Sequence, residues 1–108
     1  RDGVSSKIGS MPPPSTSEEE LIIYMTGEGF MPNKITVSVG TAVVFVNEDT
    51  RDRWPASNIH PTHGIYPEFD PLNGISPGDS WSFTFEEAGI WRMHDHLIPQ
   101  FTGVITVE

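Results

Sequence analysis

Short segments in which apolar and polar residues alternate constrain the fold of this chain more than any other feature. In residues 35–39 the apolar residues Ile, Val and Val occupy every second position. In residues 81–85 Trp, Phe and Phe do the same. A period of two is typical of β-strands that bury one face. Glycine and proline separate these segments, and no window shows a helical period. The sequence therefore predicts an all-β fold of short strands, either a sandwich or a barrel.

The first 20 residues differ in composition from the rest. They contain no aromatic residue, three consecutive prolines at 12–14 and three consecutive glutamates at 18–20. Such a stretch buries too little apolar surface to offset the entropy lost on ordering. We expect a disordered tail over residues 1–20, serving as a spacer or as a tether to a membrane, and one domain over residues 21–108.

The charge and the absence of cysteine exclude several classes of function. The 108 residues carry 6 Lys and Arg against 15 Asp and Glu, a formal net charge of −9. Nucleic acids and anionic membrane surfaces both need a basic patch, so neither is an expected partner, whereas metal ions are compatible with this charge. The chain has no cysteine, which excludes disulfides and thiolate metal sites. The longest apolar run, residues 21–25, is too short for direct membrane insertion.

Four histidines in two close pairs are the main chemical signal. The pairs are His60 with His63 and His94 with His96. Residues two apart on a strand project from one face, so a single metal ion can bind both His94 and His96. The spacing of His60 and His63 suits a turn in which two rings converge, and imidazole binds copper, zinc, nickel and iron. We predict a metal site built from three or four of these histidines, with ordinary hydrogen-bonded loop histidines as the alternative.

The first histidine pair lies in a long segment that breaks the alternation. Residues 49–76 are rich in proline and glycine. A loop of this length in a compact domain is more often functional than accidental. We expect Glu68 and Asp70 in this segment to be surface acids, with oxygen ligands or hydrogen-bond partners of a metal ligand as the alternative.

Two stretches of the chain resemble a known family of β-proteins. Residues 29–49 contain Gly-Phe-Met-Pro-Asn-Lys-Ile-Thr-Val followed by Val-Val-Phe-Val-Asn-Glu-Asp, and residues 77–107 contain Pro-Gly-Asp-Ser-Trp-Ser-Phe-Thr-Phe, Gly-Ile-Trp and Gly-Val-Ile-Thr-Val. Here the chain is similar to the cupredoxins, the small copper-binding β-sandwich family that includes plastocyanin and amicyanin. The first stretch looks like the family's N-terminal hairpin and the second like its last three strands. The resemblance implies a cupredoxin-like Greek-key β-sandwich over most of residues 21–108.

The resemblance does not extend to the family's copper ligands. Its first histidine, cysteine, second histidine and axial methionine fall on Arg53, Asp95, Ile98 and Phe101 of this chain. Without the thiolate there is no blue-copper site of the usual kind. Buried Arg and Asp side chains are tolerable only when paired. We therefore predict either a salt bridge between Arg53 and Asp95 in the former copper position, or an Asp95 that turns outward.

A second alignment with the family is also possible. In this alignment the family's ligand motif ends at His96, and the position of its cysteine falls on Met93. We prefer the first alignment because it needs no gap and keeps Trp91 and Met93 on the inward face of their strand. Met93 is then a core residue, with a thioether ligand for Cu(I) as the alternative.

The histidine pairs next to these lost positions suggest a relocated site. The expected function is capture, storage or delivery of a metal ion outside the cytoplasm. Copper is the first choice of metal and zinc the second. We expect the metal site to be colourless or pale and its histidines to be exposed. The alternatives are an electron-transfer cupredoxin, a metal-free recognition module and a small copper or zinc enzyme. We expect no enzyme activity, because no nucleophile is paired with a base. The resemblance implies a periplasmic or extracellular protein, tethered through its tail or free, with a protein partner for metal delivery.

Overall fold

The computed structural model describes residues 20–108, and the expectation of a disordered tail falls almost entirely outside these residues. The described residues form eight strands and no helix, and so contain no helix that is long and apolar enough to cross a membrane. The strands are β1 (Glu20–Thr26), β2 (Gly29–Met31), β3 (Lys34–Val37), β4 (Thr41–Asn47), β5 (Pro55–Ser57), β6 (Ser80–Phe85), β7 (Gly89–Asp95) and β8 (Thr102–Val107).

The strands form two four-stranded sheets, in the orders β2-β1-β4-β6 and β3-β8-β7-β5. Each sheet is mixed, because β1 runs parallel to β4 and β3 runs parallel to β8, while the other neighbours are antiparallel. The all-β β-sandwich predicted from the alternating segments is confirmed.

The prediction that the N-terminal segments pair as a hairpin is wrong. The segments before and after Gly40 form β3 and β4, which lie in different sheets. Strand β3 pairs with β8, and β4 pairs with β1 and β6. Gly40 at φ 90° makes the turn that carries the chain from one sheet to the other.

The core lies between the two sheets and follows the alternation. On β4 the inward residues include Val43 and Phe45, both fully buried, and the residues that alternate with them along the strand are half-buried. Ile23 of β1 and Phe85 of β6 from the same sheet, and Ile105 of β8 from the facing sheet, complete the centre of the core. Burial of each such side chain contributes about 1.5–3 kcal/mol relative to exposure.

The strand β5 lies inside the segment that the sequence indicates as a loop. Its three residues, Pro55–Ser57, are all buried and pair with the end of β7. A run of three residues is too short to show an alternating pattern, which is why the sequence did not reveal it.

The remainder of that segment is held against the sandwich by two aromatic side chains. Tyr66 is 4% exposed, and its ring lies 4.7 Å from that of Trp91. Phe69 is fully buried, with ring centroids 5.8 Å from Phe45 and 5.0 Å from Phe85. These anchors fix the loop between β5 and β6 and therefore the positions of its histidines.

Candidate metal centre

The end of β7 presents consecutive side chains to opposite sides of its sheet. Met93 is 1% exposed and belongs to the core, so the expectation of a core residue is confirmed. Asp95 projects to the same side and is fully buried. His94 projects to the other side, where it pairs in register with Ala56 of β5.

The inward side of this strand end holds the predicted salt bridge. Arg53 Nε donates to Asp95 Oδ2 at 2.6 Å, and both side chains are fully buried. Asp95 also accepts hydrogen bonds from the backbone N–H groups of Trp54, Leu97 and Ile98. The alternative of an outward-turned Asp95 is wrong.

The positions that align with the family's copper ligands lie close together in the fold. The Arg53 guanidinium carbon is 4.8 Å from the centroid of the Phe101 ring, and the backbone N–H of Asp95 donates to the Phe101 carbonyl at 2.9 Å. The preferred alignment therefore places its histidine, cysteine and methionine positions around one point. That point is now filled by an ion pair and an aromatic ring.

The outward side brings all four histidines into one cluster. The His60 ring centroid lies 5.1 Å from those of His94 and His96. The His63 ring centroid lies 5.0 Å from that of His94 and 4.8 Å from that of His96. The convergence of the two pairs, inferred from their spacing, is present in the fold.

Three of these histidines have the geometry of a metal site. His60, His94 and His96 each offer one ring nitrogen, and these nitrogen atoms all lie within 4.8 Å of one another. His94 Nδ1 is 2.9 Å from Asn58 Oδ1, an amide oxygen that only accepts, so Nδ1 donates and Nε2 carries the lone pair. His94 Nε2 is buried without a hydrogen-bond partner. A buried nitrogen lone pair of this kind, facing two other imidazoles, fits a metal ion.

The fourth histidine is held by an acid of the same loop. His63 Nδ1 lies 2.6 Å from Asp70 Oδ2, and His63 Nε2 lies 3.1 Å from His96 Nδ1. Asp70 Oδ1 accepts from Trp54 Nε1–H at 2.8 Å and from the Leu72 backbone N–H at 2.9 Å. The expectation that Asp70 is a surface acid is wrong, because it is the hydrogen-bond partner of a site histidine.

The two acids of the loop differ in environment. Glu68 is exposed, as expected, whereas Asp70 is half-buried. Burial by itself raises the pKa of Asp70, but the hydrogen bonds from His63, Leu72 and Trp54 outweigh this and hold the pKa below 3.8. Asp70 is therefore ionised at neutral pH and acts only as an acceptor.

The electrostatics of the cluster keep its central histidines neutral. Burial, reinforced by the nearby rings of His63, His60 and His96, lowers the pKa of His94 from 6.5 to about 4. Burial and the same neighbours also lower the pKa of His96. Neutral imidazole is the form that binds metal ions, so these rings need no deprotonation near pH 7.

The exposure of the histidines is less uniform than expected. His63 and His94 are each only 3% exposed, His96 is half-buried and His60 is exposed. The expectation of exposed histidines is correct for His60 and wrong for His63 and His94. The loop after β5 covers these rings on one side, and His60 faces solvent.

The low pKa of His94 makes the stability of the metal-free protein depend on pH. In the unfolded chain this histidine titrates near 6.5, so between pH 6.5 and 4 the unfolded state binds more protons than the folded state. We expect the free energy of unfolding, measured by urea with a chelator present, to be highest above pH 6.5. It should fall by up to about 3 kcal/mol as the pH is lowered to 4.

The pH effect has a direct control. The variant His94→Gln should show a shallower loss of stability over the same range, while Glu68→Gln, an exposed acid of the same loop, should follow the parent chain. A parent stability that is flat between pH 6.5 and 4.5 would contradict the burial of a neutral His94.

Several residues of the site carried no recognisable sequence signal. Asn58 orients His94, and Trp54 donates to Asp70 while its ring lies tilted against that of His96, with ring centroids 4.5 Å apart. Their nearness to the first histidine pair in sequence is the one available hint. The contacts themselves depend on β5 pairing with β7.

Comparisons with known proteins agree on the fold. No protein-family model matches the chain, and no curated protein matches it in sequence. Among solved structures, it is similar to a purple cupredoxin from Nitrosopumilus maritimus, with a TM-score of 0.71, 22% identity and coverage of 82% of this chain and 99% of that one. It is also similar to amicyanin from Paracoccus versutus, with a TM-score of 0.71, 20% identity and coverage of 83% and 82% of the two chains.

A third similar structure is larger. A copper-containing nitrite reductase from Thermus scotoductus matches with a TM-score of 0.70 and 25% identity, over 94% of this chain but only 25% of the reductase. The neighbours are thus cupredoxins and a copper enzyme, and the similarity is one of fold. This chain therefore has the cupredoxin fold, and it lacks the cysteine that the usual copper site of that family requires.

Proposed function

We propose that this protein binds copper through a thiolate-free histidine site and serves in copper capture, storage or delivery. The observation that carries the proposal is the buried, unpartnered Nε2 of His94, in a cluster where His60, His94 and His96 each offer one ring nitrogen within 4.8 Å of the others. An unsatisfied buried polar atom is costly and calls for an explanation. A metal ion bound to His94 Nε2 supplies the partner that this nitrogen lacks within the protein.

The donor set supports copper as the first metal and zinc as the second. Imidazole is a good ligand for both, and the affinity of a given site for divalent metals is highest for Cu²⁺. His94 is oriented by Asn58 and His63 by Asp70, and outer partners of this kind hold the rings of metal-binding histidines in place. The net charge of −9 also favours a cation.

We propose a non-catalytic role outside the cytoplasm. The inward position that resembles the family's electron-transfer site holds the Arg53–Asp95 pair instead of ligands, which favours metal handling over electron transfer. The periplasmic or extracellular location, and a protein partner that supplies or receives copper, follow from the resemblance to the cupredoxins.

The proposal is tested by adding Cu(II) and Zn(II) to the metal-free chain in a calorimeter and recording electron paramagnetic resonance of the copper form. We expect one copper per chain, bound more tightly than zinc, with a spectrum of several nitrogen ligands and no intense blue absorption. The comparison is a free peptide of residues 58–64, which carries the first histidine pair without the fold. Copper binding no tighter than that of the peptide would end the proposal.

A further inference from the structure

Both ring nitrogens of His63 are occupied by partners within the protein. Asp70 is ionised and can only accept, so His63 Nδ1 carries the hydrogen that lies between them. The other ring nitrogen, Nε2, lies 3.1 Å from His96 Nδ1.

These contacts leave one ring nitrogen of His96 and one of His94 for a metal. Nδ1 of His96 is in contact with His63 and Nδ1 of His94 with Asn58, so Nε2 is left in each ring. His63, by contrast, has both nitrogens engaged within the protein.

The backbone at His63 supports a dedicated role in holding this arrangement. His63 adopts φ 59°, the left-handed region that non-glycine residues rarely occupy. Its backbone N–H donates to the Ile59 carbonyl at 2.6 Å, and its side chain is almost fully buried against Asp70. The surrounding contacts therefore hold His63 in a conformation that is costly by itself.

We propose that the metal held by His60, His94 and His96 keeps one coordination position open to a small monodentate nitrogen or oxygen donor, and that His63 positions His96 instead of binding the metal. This inference rests on the proposed function and names the ligand class of the same site. Metal sites with three protein ligands characteristically leave a position for an exogenous donor, whereas closed sites use four. His60 is the exposed ligand, so an entering donor reaches the metal on its side.

An open position matters for the transfer of copper. A donor from a delivery partner can attach to the metal before any histidine leaves, and the exposed His60 is the ligand that can leave first. His94 and His96, which are both less exposed than His60, would hold the metal during the exchange. Asp70 and His63 keep His96 in the orientation that allows this.

The open position is tested with azide as the probe, added to the copper-loaded full-length chain. We expect a saturable one-to-one change in the electron paramagnetic resonance spectrum, together with a new absorption band from azide to copper. Unchanged spectra at saturating azide, with copper still bound, would show a closed site and overturn the inference while leaving the proposed function intact. Failure of the parent chain to bind copper at all would overturn both.

The role of His63 is tested by counting bound nitrogens with pulsed resonance methods. In His63→Gln and Asp70→Asn we expect the same three histidine nitrogens as in the parent chain, with copper affinity reduced by about 10- to 100-fold. The control is Glu68→Gln, which removes a nearby exposed acid and should leave the affinity unchanged. Loss of one nitrogen in His63→Gln would make His63 a ligand and overturn the positioning role.

Discussion

Replacing Asp95 with alanine is expected to destabilise the protein by about 3–5 kcal/mol, because the fully buried Arg53 guanidinium loses the carboxylate that accepts from its Nε and keeps only one carboxylate oxygen, Asp49 Oδ2, which lies 3.3 Å from its Nη1. The same change removes the acceptor of three backbone N–H groups, those of Trp54, Leu97 and Ile98. A loss of this size is a large fraction of the total stability of a domain this small. The measurement is urea unfolding of the metal-free protein followed by tryptophan fluorescence.

The opposite replacement should be milder. In Arg53→Met the Asp95 carboxylate keeps its three backbone donors, so we expect a smaller loss of stability than in Asp95→Ala. The exposed acid Asp79 provides a control, and Asp79→Asn should stay within about 0.5 kcal/mol of the parent chain. If Asp95→Ala and Arg53→Met were both as stable as the parent chain, the ion pair between Arg53 and Asp95 would not stabilise this end of the sandwich.

Replacing His94 with alanine should reduce copper affinity by more than about 100-fold, beyond the effect expected of a residue that only orients a ligand. The reason is that His94 is the most buried histidine of the triad and its Nε2 has no partner within the protein. Isothermal titration with Cu(II) measures the loss. The effect should exceed that of Asn58→Ala, which removes the acceptor that orients His94 but leaves its ring in place.

The affinity loss must be separated from unfolding. Unfolding by urea at pH 7 shows whether His94→Ala remains folded, and a folded variant with weak copper binding confirms the ligand role. A folded variant that binds copper as tightly as the parent chain would remove His94 from the metal site.

The sequence was sufficient for the fold class and for the histidines as candidates. Alternation in residues 35–39 and 81–85 predicted strands with one buried face, and these segments overlap β3 and β6, one in each sheet. The absence of cysteine and the aligned positions of Arg53 and Asp95 predicted their salt bridge, because a buried charge needs a partner of opposite sign.

The sequence could not give the pairing of the strands or the partners of the histidines. Strand β3 pairs with β8, which lies far along the chain, and no local pattern encodes such a partner. The role of Asp70 was hidden for the same reason, since a carboxylate in a proline-rich segment looks like a surface acid until the loop is folded. Tyr66 and Phe69 determine that folding by inserting into the core.

By itself the sequence determined the chemistry available to this protein: imidazoles in two pairs, no thiolate and an excess of negative charge. Only the tertiary structure decided which imidazoles meet, which ring nitrogens have hydrogen-bond partners and which ring remains in contact with solvent. The physical reason is that residue types and short spacings are local properties. The desolvation of His94 and the hydrogen bond from His63 to Asp70 arise only when a loop closes over the end of a paired strand.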